Sequence, residues 1–164
     1  MKTRFFILIP LFLLCTITGC GTQDTIKYIY EEGKYKFSVE VPTDWTCESM
    51  YGPDSAKYDL PEFGMEVYID GDKENRIDVA CVHGQVAWHE MYDTSVIELR
   101  NGSHGLFVEE RIENGGEPYI IAGVVAKEYY YIHMELPEYV YQANKKEIKE
   151  MIRSFEILTY EEIK

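Results

Sequence analysis

Cationic side chains are scarce in this 164-residue chain, in which 16 Lys and Arg stand against 29 Asp and Glu for a formal net charge of −13. Proteins that bind nucleic acid need a positively charged surface to contact phosphates, so we do not expect this chain to bind RNA or DNA. Internal repeats and low-complexity segments are also missing. Because 46% of the residues are hydrophobic, global disorder is excluded. The length fits a single domain.

Long hydrophobic runs are missing too, except at the N-terminus. After residue 20, the longest uncharged hydrophobic stretch covers residues 119–126, far short of the about 20 residues that a membrane-spanning helix needs. The N-terminal run covers residues 5–14 and follows Lys2 and Arg4. A basic start followed by about ten hydrophobic residues is typical of a secretory signal peptide. We therefore expect residues 1–19 to direct export and then to be removed.

The end of this leader, Ile17-Thr18-Gly19-Cys20, resembles the lipobox of bacterial lipoproteins. Small residues before a cysteine, directly behind the hydrophobic run, carry the resemblance. It implies that lipid is transferred to the Cys20 thiol, that the chain is cleaved before Cys20, and that the mature protein is anchored at the outer face of the cell membrane. Two alternatives are an ordinary cleaved signal peptide with an incidental cysteine and a retained membrane helix.

Lipid on Cys20 would hold the protein by burying acyl chains such as palmitate. Each buried CH₂ contributes ~0.8 kcal/mol, and one chain alone binds only marginally, whereas a diacylglyceryl group supplies two. Loss of Lys2 and Arg4 with the leader changes the net charge from −13 to −15, so the body of the protein should be repelled by anionic lipid. We expect a lipidated N-terminus and short tether at 20–26, one domain at 27–158 and a tail at 159–164.

Alternating hydrophobic and polar residues predict antiparallel strands over most of the mature chain. The expected strands cover residues 27–30, 36–41, 65–69, 76–82, 94–100, 105–113, 118–126 and 129–136. Residues 49–64 contain two prolines and two glycines and predict a long loop, with or without a short helix. Residues 84–91 have no clear pattern.

The C-terminal part has helical periodicity instead. Its apolar stripe spans about 120° of arc and consists of Val140, Tyr141, Asn144, Ile148, Met151, Ile152 and Phe155. Pro137 and Glu138 are suited to the start of a helix. Strands followed by a helix that must bury its stripe predict an α+β fold. We expect an antiparallel sheet of about six to eight strands packed by this C-terminal amphipathic helix.

Two stretches resemble the PsbP-like family. Residues 37–45 (FSVEVPTDW) resemble its opening strand, proline and tryptophan, and residues 148–157 (IKEMIRSFEI) resemble its closing helix and serine–phenylalanine exit. The resemblance covers about residues 35–158 and implies a central antiparallel sheet flanked by helices. The chain departs from the pattern after Trp45, where no long helix is evident to cover one face of the sheet. Many members are non-catalytic binding or accessory modules, and the resemblance implies such a role here, although a fold does not fix a function.

Cys47 and Cys81 are the other cysteines of the mature chain. Outside the cytoplasm a disulfide can persist, and closing a loop of about 35 residues would stabilise the fold by ~4 kcal/mol in the chain-entropy model. The sequence does not show whether the two side chains are neighbours. A disulfide and two buried free thiols therefore stay open as alternatives.

Cys81, His83 and His89 raise a metal-dependent or hydrolytic activity as an alternative function. The Cys-x-His spacing places two side chains on one face of a strand. Zinc, however, needs three or four converging ligands, and the sequence offers no second clustered pair. We therefore expect no metal, no cofactor and no enzymatic activity.

Tyr129, Tyr131 and His133 share one face of a predicted strand and form a candidate binding face, because tyrosine suits partly hydrated recognition surfaces. The other face is the natural core side and carries Tyr130, Ile132, Met134 and Leu136. The alternative for the first set is cover by the 49–64 loop or by another part of the chain that the strand pattern does not place correctly.

The sequence thus predicts an exported, lipid-anchored domain that serves as a non-catalytic accessory or binding module for a protein or envelope partner. A structural envelope protein that binds wall glycan or protein through the tyrosine face is a further alternative. On the closing helix, four cations lie opposite the apolar stripe: Lys145, Lys146, Lys149 and Arg153. We expect them to form a solvated face near the helix C-terminus; a ridge that meets anionic lipid or an acidic partner is the alternative.

Overall fold

The computed structural model describes residues 24–32, 35–51, 62–82, 86–127 and 129–158. The expected leader, the lipidated Cys20, the tail at 159–164 and His83 lie outside these residues. Within them the chain forms ten strands and two α-helices, and the predicted α+β class is confirmed.

A small sheet of three strands joins the two ends of the domain. Its strands are β1 (Thr25–Glu32), β2 (Tyr35–Pro42) and the two-residue strand Glu156–Ile157, here β10. β2 lies in the middle, and both neighbours are antiparallel to it. β1 begins at Thr25, two residues before residue 27, where the domain was expected to begin.

The main sheet has seven strands in the order β3-β4-β5-β9-β8-β7-β6, all antiparallel. These strands are β3 (Thr46–Tyr51), β4 (Glu62–Tyr68), β5 (Arg76–Val82), β6 (Thr94–Glu98), β7 (His104–Asn114), β8 (Glu117–Ala126) and β9 (Tyr130–Pro137). The expectation of a loop from residue 49 onward is wrong for residues 49–51, which continue β3. The unassigned segment after β5 contains a 3₁₀ helix, Trp88–Met91.

The predicted C-terminal helix is divided in two. Helix α1 covers Glu138–Ala143 and α2 covers Lys145–Ser154. The break lies at Asn144, whose backbone leaves the helical region (φ −114°, ψ 13°) and whose amide Nδ2 donates to the Val140 carbonyl at 2.9 Å. The apolar stripe continues through the break, since Val140, Tyr141 and the later members are buried while Asn144 is half-buried.

The core lies between the inner face of the main sheet on one side and β2 with the helices on the other. Alternate residues of β2 point into it, and Phe37 is fully buried. The Phe37 ring lies 5.5 Å from the Phe155 ring at the end of α2 and 5.1 Å from the Tyr30 ring on β1. The two sequence stretches that resemble the PsbP-like family therefore meet through a pair of aromatic rings.

A charged cluster ties the helices to β7. Glu109 of β7 forms one ion pair with Lys145 and another with Lys149, whose Nζ lies 2.8 Å from Glu109 Oε2. The Lys145 ammonium also lies 5.6 Å from the centre of the Tyr141 ring. Burial alone would raise the pKa of Glu109, but the hydrogen bonds from Lys145 and Lys149 outweigh it and hold the pKa below its usual value. Burial beside this carboxylate raises the pKa of Tyr141.

We expect Glu109→Gln to lower the free energy of unfolding at pH 7 by about 1 kcal/mol, because two partly buried ammonium groups lose their carboxylate. The lowered folded-state pKa means that the wild-type advantage is present above the unfolded-state pKa of about 4.3 and is lost as pH falls through the folded value. Urea denaturation of both proteins at several pH values measures this. A difference that stays constant down to acid pH would contradict the role of the ionised carboxylate.

Candidate interaction surface

The outer face of the main sheet, the side away from the helices, is partly covered by the segment 86–92. Val86 is buried against Tyr131 of β9, together with Val125 of β8 and Ala80 of β5. The register places Val125 and Ala80 on either side of Tyr131. This is the sheet face for which the sequence shows no cover, and the chain covers it with a short 3₁₀ segment in place of a long helix.

Trp88 is the main contact of this segment with β9. Its ring lies 4.8 Å from the imidazole of His133 in an edge-on arrangement. Asp78 of β5 stands directly opposite His133 in the ladder. Burial lowers the pKa of His133, so the imidazole is held neutral in the folded protein at physiological pH. Trp88 was not predicted to contribute to this surface; a lone tryptophan in an unpatterned segment between strands was the available signal.

The candidate binding face of Tyr129, Tyr131 and His133 is not an open surface. Tyr131 is only 7% exposed beneath Val86, and His133 is half-buried beneath Trp88, whereas Tyr129 is 43% exposed. The expectation of three accessible side chains is therefore wrong for Tyr131, because the 86–92 segment covers it. The opposite set behaves as predicted, since Tyr130, Ile132, Met134 and Leu136 are all buried in the core.

An apolar groove adjoins the covered part of this face. It has a volume of about 340 Å³ and lies between the 86–92 segment and strands β6 to β8. Its lining combines aliphatic side chains with nitrogen-bearing ones and includes Val86, Val96, Leu106, His89, His104 and Lys127. Val96 is 69% exposed and Leu106 is 39% exposed. A groove that combines exposed aliphatic side chains with histidine and lysine side chains is suited to a protein partner.

Cys47 and Cys81 are free thiols. Cys47 of β3 pairs with Val67 of β4, and Cys81 of β5 pairs with Phe63 of β4. The two cysteines therefore lie on different sides of β4 and about 13 Å apart along it. A disulfide requires Cα atoms within about 7 Å. The structure thus has two free thiols, of which Cys81 is buried as that alternative expects and Cys47 is half-buried. The Cys81 thiol lies 3.4 Å from the Phe63 carbonyl oxygen, and burial raises the pKa of Cys47.

We expect both thiols to be present without prior reduction. In the folded protein Cys47 should alkylate slowly at neutral pH, because burial disfavours its thiolate, and Cys81 should react only after unfolding. Iodoacetamide labelling with peptide mass spectrometry, before and after denaturation in the absence of reductant, checks this. Two sites that stay unlabelled in the denatured protein would contradict the free-thiol structure.

The structure does not bring the candidate metal ligands Cys81 and His89 together. Cys81 points into the core from the inner face of β5, whereas His89 belongs to the segment that covers the outer face. The sheet itself separates the two side chains. Among the described residues, no group of three or more Cys, His, Asp or Glu side chains is arranged to hold a metal ion.

A second cavity of about 350 Å³ lies where α2 ends against β1 and β2. Both signs of charge line it, including Arg100, Arg153, Glu40, Glu147 and Glu150, with Thr25 at the start of the domain. Arg100 Nη2 donates to Glu40 Oε2 at 2.8 Å, and this hydrogen bond lowers the pKa of Glu40. The Arg100 backbone N–H donates to the Arg153 carbonyl at 2.7 Å, which fixes the turn before β7 to the end of α2.

The cations of the closing helix do not form one free ridge. Lys145 and Lys149 contact Glu109 on the sheet, and Lys146 lies 4.0 Å from Glu150 on the same helix. The expectation of a fully solvated face is therefore wrong for Lys145 and Lys149, because α2 turns that side toward β7.

No helix in the described ranges is both long and apolar enough to cross a lipid bilayer. No protein-family model matches the sequence, and no curated protein matches it. Solved structures do match. The solution structure of cyanobacterial PsbP (CyanoP) from Synechocystis sp. PCC 6803 aligns with a TM-score of 0.53 and 10% identity, over 88% of this chain and 99% of that chain. The chain has the PsbP fold.

A crystal structure of a protein from Bacteroides thetaiotaomicron VPI-5482 aligns with a TM-score of 0.55 and 13% identity, over 85% of this chain. The chain spans half the length of that protein. At these identities the similarity to CyanoP shows the PsbP fold, and neither similarity shows anything about activity.

Proposed function

We propose that this protein is an exported lipoprotein, held by acyl chains on Cys20, that acts as a non-catalytic accessory or binding module at the outer face of the cell membrane. The leader and the Cys20 context support export and anchoring. The PsbP-like fold supports an accessory role. The observation that carries the binding role is the apolar groove at β6 to β8, whose lining includes the exposed side chains of Val96 and Leu106.

The start of β1 determines how far the folded domain can lie from its anchor. Thr25 follows Cys20 by five residues, which span at most ~17 Å when extended. The domain would therefore stay next to the headgroup layer. Its mature net charge of −15 opposes adsorption onto anionic lipid within the screening length of ~8 Å, so the acyl chains would carry the attachment.

The anchoring part is tested by Cys20→Ser in the full chain, produced in a bacterium that processes lipoproteins. We expect loss of incorporated radiolabelled palmitate and release from the membrane fraction, because the two acyl chains of the diacylglyceryl group supply the binding free energy. Cys15→Ser, in the part of the leader that is removed, is the matched control and should keep both label and location. Label that persists in Cys20→Ser would refute the anchor.

The binding part is tested by Leu106→Lys, which places a charge in the lining of the groove at an exposed position. We expect a partner that is cross-linked to the wild type in intact cells to be lost with Leu106→Lys. Tyr139→Lys is the matched control, because Tyr139 is 77% exposed on α1, away from the groove. A partner captured equally by all three proteins would show that the groove is not the binding site.

A further inference from the structure

Strand β6 forms an edge of the main sheet. Within the described part of the chain it pairs with β7 alone. Natural edge strands are often protected from further pairing by charged residues, especially lysine, by proline, by a bulge or by being very short. The five residues of β6, Thr-Ser-Val-Ile-Glu, include no lysine or proline and carry a charge only at the last position, and the central residue Val96 is 69% exposed.

The register identifies the backbone groups that point away from β7. The Leu99 N–H donates to the Ser103 carbonyl at 2.8 Å, and Leu99 follows directly on the pair Glu98–His104. In an antiparallel ladder hydrogen-bonded and non-hydrogen-bonded pairs alternate. Ile97 and Ser95 therefore bond to β7, whereas the N–H and C=O groups of Thr94, Val96 and Glu98 point to the open edge.

We propose that β6 pairs antiparallel with β6 of a second copy of this chain, about a two-fold axis at Val96. In this register Val96 is opposite Val96 of the second copy, and Thr94 is opposite Glu98 in both directions. These are the three residues whose backbone groups point outward, so each pair exchanges both of its N–H···O bonds. A register centred on Ser95 or Ile97 would leave outward groups of the strand unpaired.

The side chains of this register are compatible with themselves. Glu98 meets the neutral Thr94, so no like charges stand directly opposite within the strand. Val96 meets its own copy on the outer face, and Leu106 is the neighbour of Val96 across the ladder. Each copy exposes one valine and one leucine. In the dimer these four side chains would form one continuous apolar row. Such isologous contacts are the usual basis of two-fold dimers.

Charges flanking β6 are complementary across the same axis. Extending the register places Asp93, just before β6, opposite Leu99 of the second copy and therefore next to its Arg100. Arg153 is joined to Arg100 through the backbone hydrogen bond between them. An open depression of about 590 Å³, lined by residues 96–100 and Arg153, leaves room beside this end of the strand. Asp93 of each copy thus comes close to Arg100 of the other, whose guanidinium also pairs with Glu40 of its own copy, so this contact offsets only part of the repulsion between two acidic molecules.

Sedimentation of the full chain, solubilised in mild detergent, tests the dimer. We expect the wild type to change from monomer to dimer with concentration, and Val96→Lys to raise the dimer dissociation constant by at least about 100-fold, because two ammonium groups would meet on the axis. Val96→Pro should act similarly, because it removes an N–H that β7 does not use. Tyr139→Lys should dimerise like the wild type. A monomeric wild type up to millimolar concentration, or a Val96→Lys protein that dimerises normally, would overturn the proposal.

Cysteine cross-linking of the full chain tests the register. With a short bifunctional maleimide we expect Val96→Cys to give a cross-linked dimer at least about 10-fold more efficiently than Thr94→Cys or Glu98→Cys alone, because only residue 96 meets its own copy, with Cα atoms about 5.5 Å apart. A mixture of Thr94→Cys and Glu98→Cys should recover efficient cross-linking. Tyr139→Cys is the control. Equal yields at 94, 96 and 139, or no product at 96, would overturn the pairing about Val96.

Discussion

Phe155→Ala is expected to lower the free energy of unfolding by about 3–5 kcal/mol, the usual cost of removing a fully buried phenylalanine. Phe155 has no exposed surface, and its ring lies 5.5 Å from that of Phe37. It also ends α2 at the point where the chain turns into β10, beside the buried Ile152. Loss of the ring would leave a cavity between the helix and the small sheet.

Urea denaturation followed by tryptophan fluorescence measures this effect. Tyr139→Ala is the matched control, since the ring is 77% exposed, and should change stability by less than about 0.5 kcal/mol. Phe37→Ala and the double variant complete a cycle, in which contact between the rings predicts non-additive losses. A loss below about 1 kcal/mol for Phe155→Ala would contradict the packing described for the end of α2.

Gly123→Ala is expected to cost about 3 kcal/mol or more, at the upper end of overpacking effects. A Cβ at Gly123 would lie 2.1 Å from the Ile132 carbonyl oxygen and 3.1 Å from the His133 Cα. Both are backbone atoms of β9, so no side-chain rotation relieves the clash. The strands would have to separate where Trp88 covers His133, and we expect the 86–92 segment to loosen as well.

Thermal unfolding by circular dichroism measures the stability of this variant. Gly102→Asn is the control, because a Cβ at Gly102 would contact nothing within 4 Å and asparagine tolerates its positive φ. We expect the control to stay within about 1 kcal/mol of the wild type. Equal stability of Gly123→Ala and the wild type would show that β8 and β9 do not approach as closely as described.

Much of the fold could be predicted because its strands alternate cleanly between hydrophobic and polar residues. The strand expected at 76–82 has those bounds, and the core set on β9 is buried as expected. The helical stripe was also correct, although the break at Asn144 was not foreseen. A hydrophobic period describes which residues face the core, and it is insensitive to one residue that leaves the helical region.

The division into two sheets could not be predicted from the pattern. β10 has only two residues, too few for any period, and β3 (Thr46–Tyr51) carries mostly polar residues because it is an edge strand. Strand order depends on contacts between residues far apart in the chain. The same holds for the separation of Cys47 from Cys81, which follows from their places on opposite sides of β4.

The candidate interaction surface could also be predicted only in part. Tyr131 and His133 were correctly placed on one face, but their burial depends on Val86 and Trp88 from a segment without periodicity. The apolar groove is formed by three strands and this segment together, so none of its residues is distinctive alone.

The sequence by itself determined that this is an acidic chain with a hydrophobic N-terminal run, a lipobox-like cysteine, alternating strands and a closing amphipathic helix, since each of these depends on neighbouring residues and their periodicity. Only the tertiary structure decided that the cysteines stay apart, that the tyrosine face is mostly covered, and that Val96 stands exposed at an open sheet edge. Those features depend on which distant strands pair and in which register, and the free energy of that choice is shared among contacts across the whole domain.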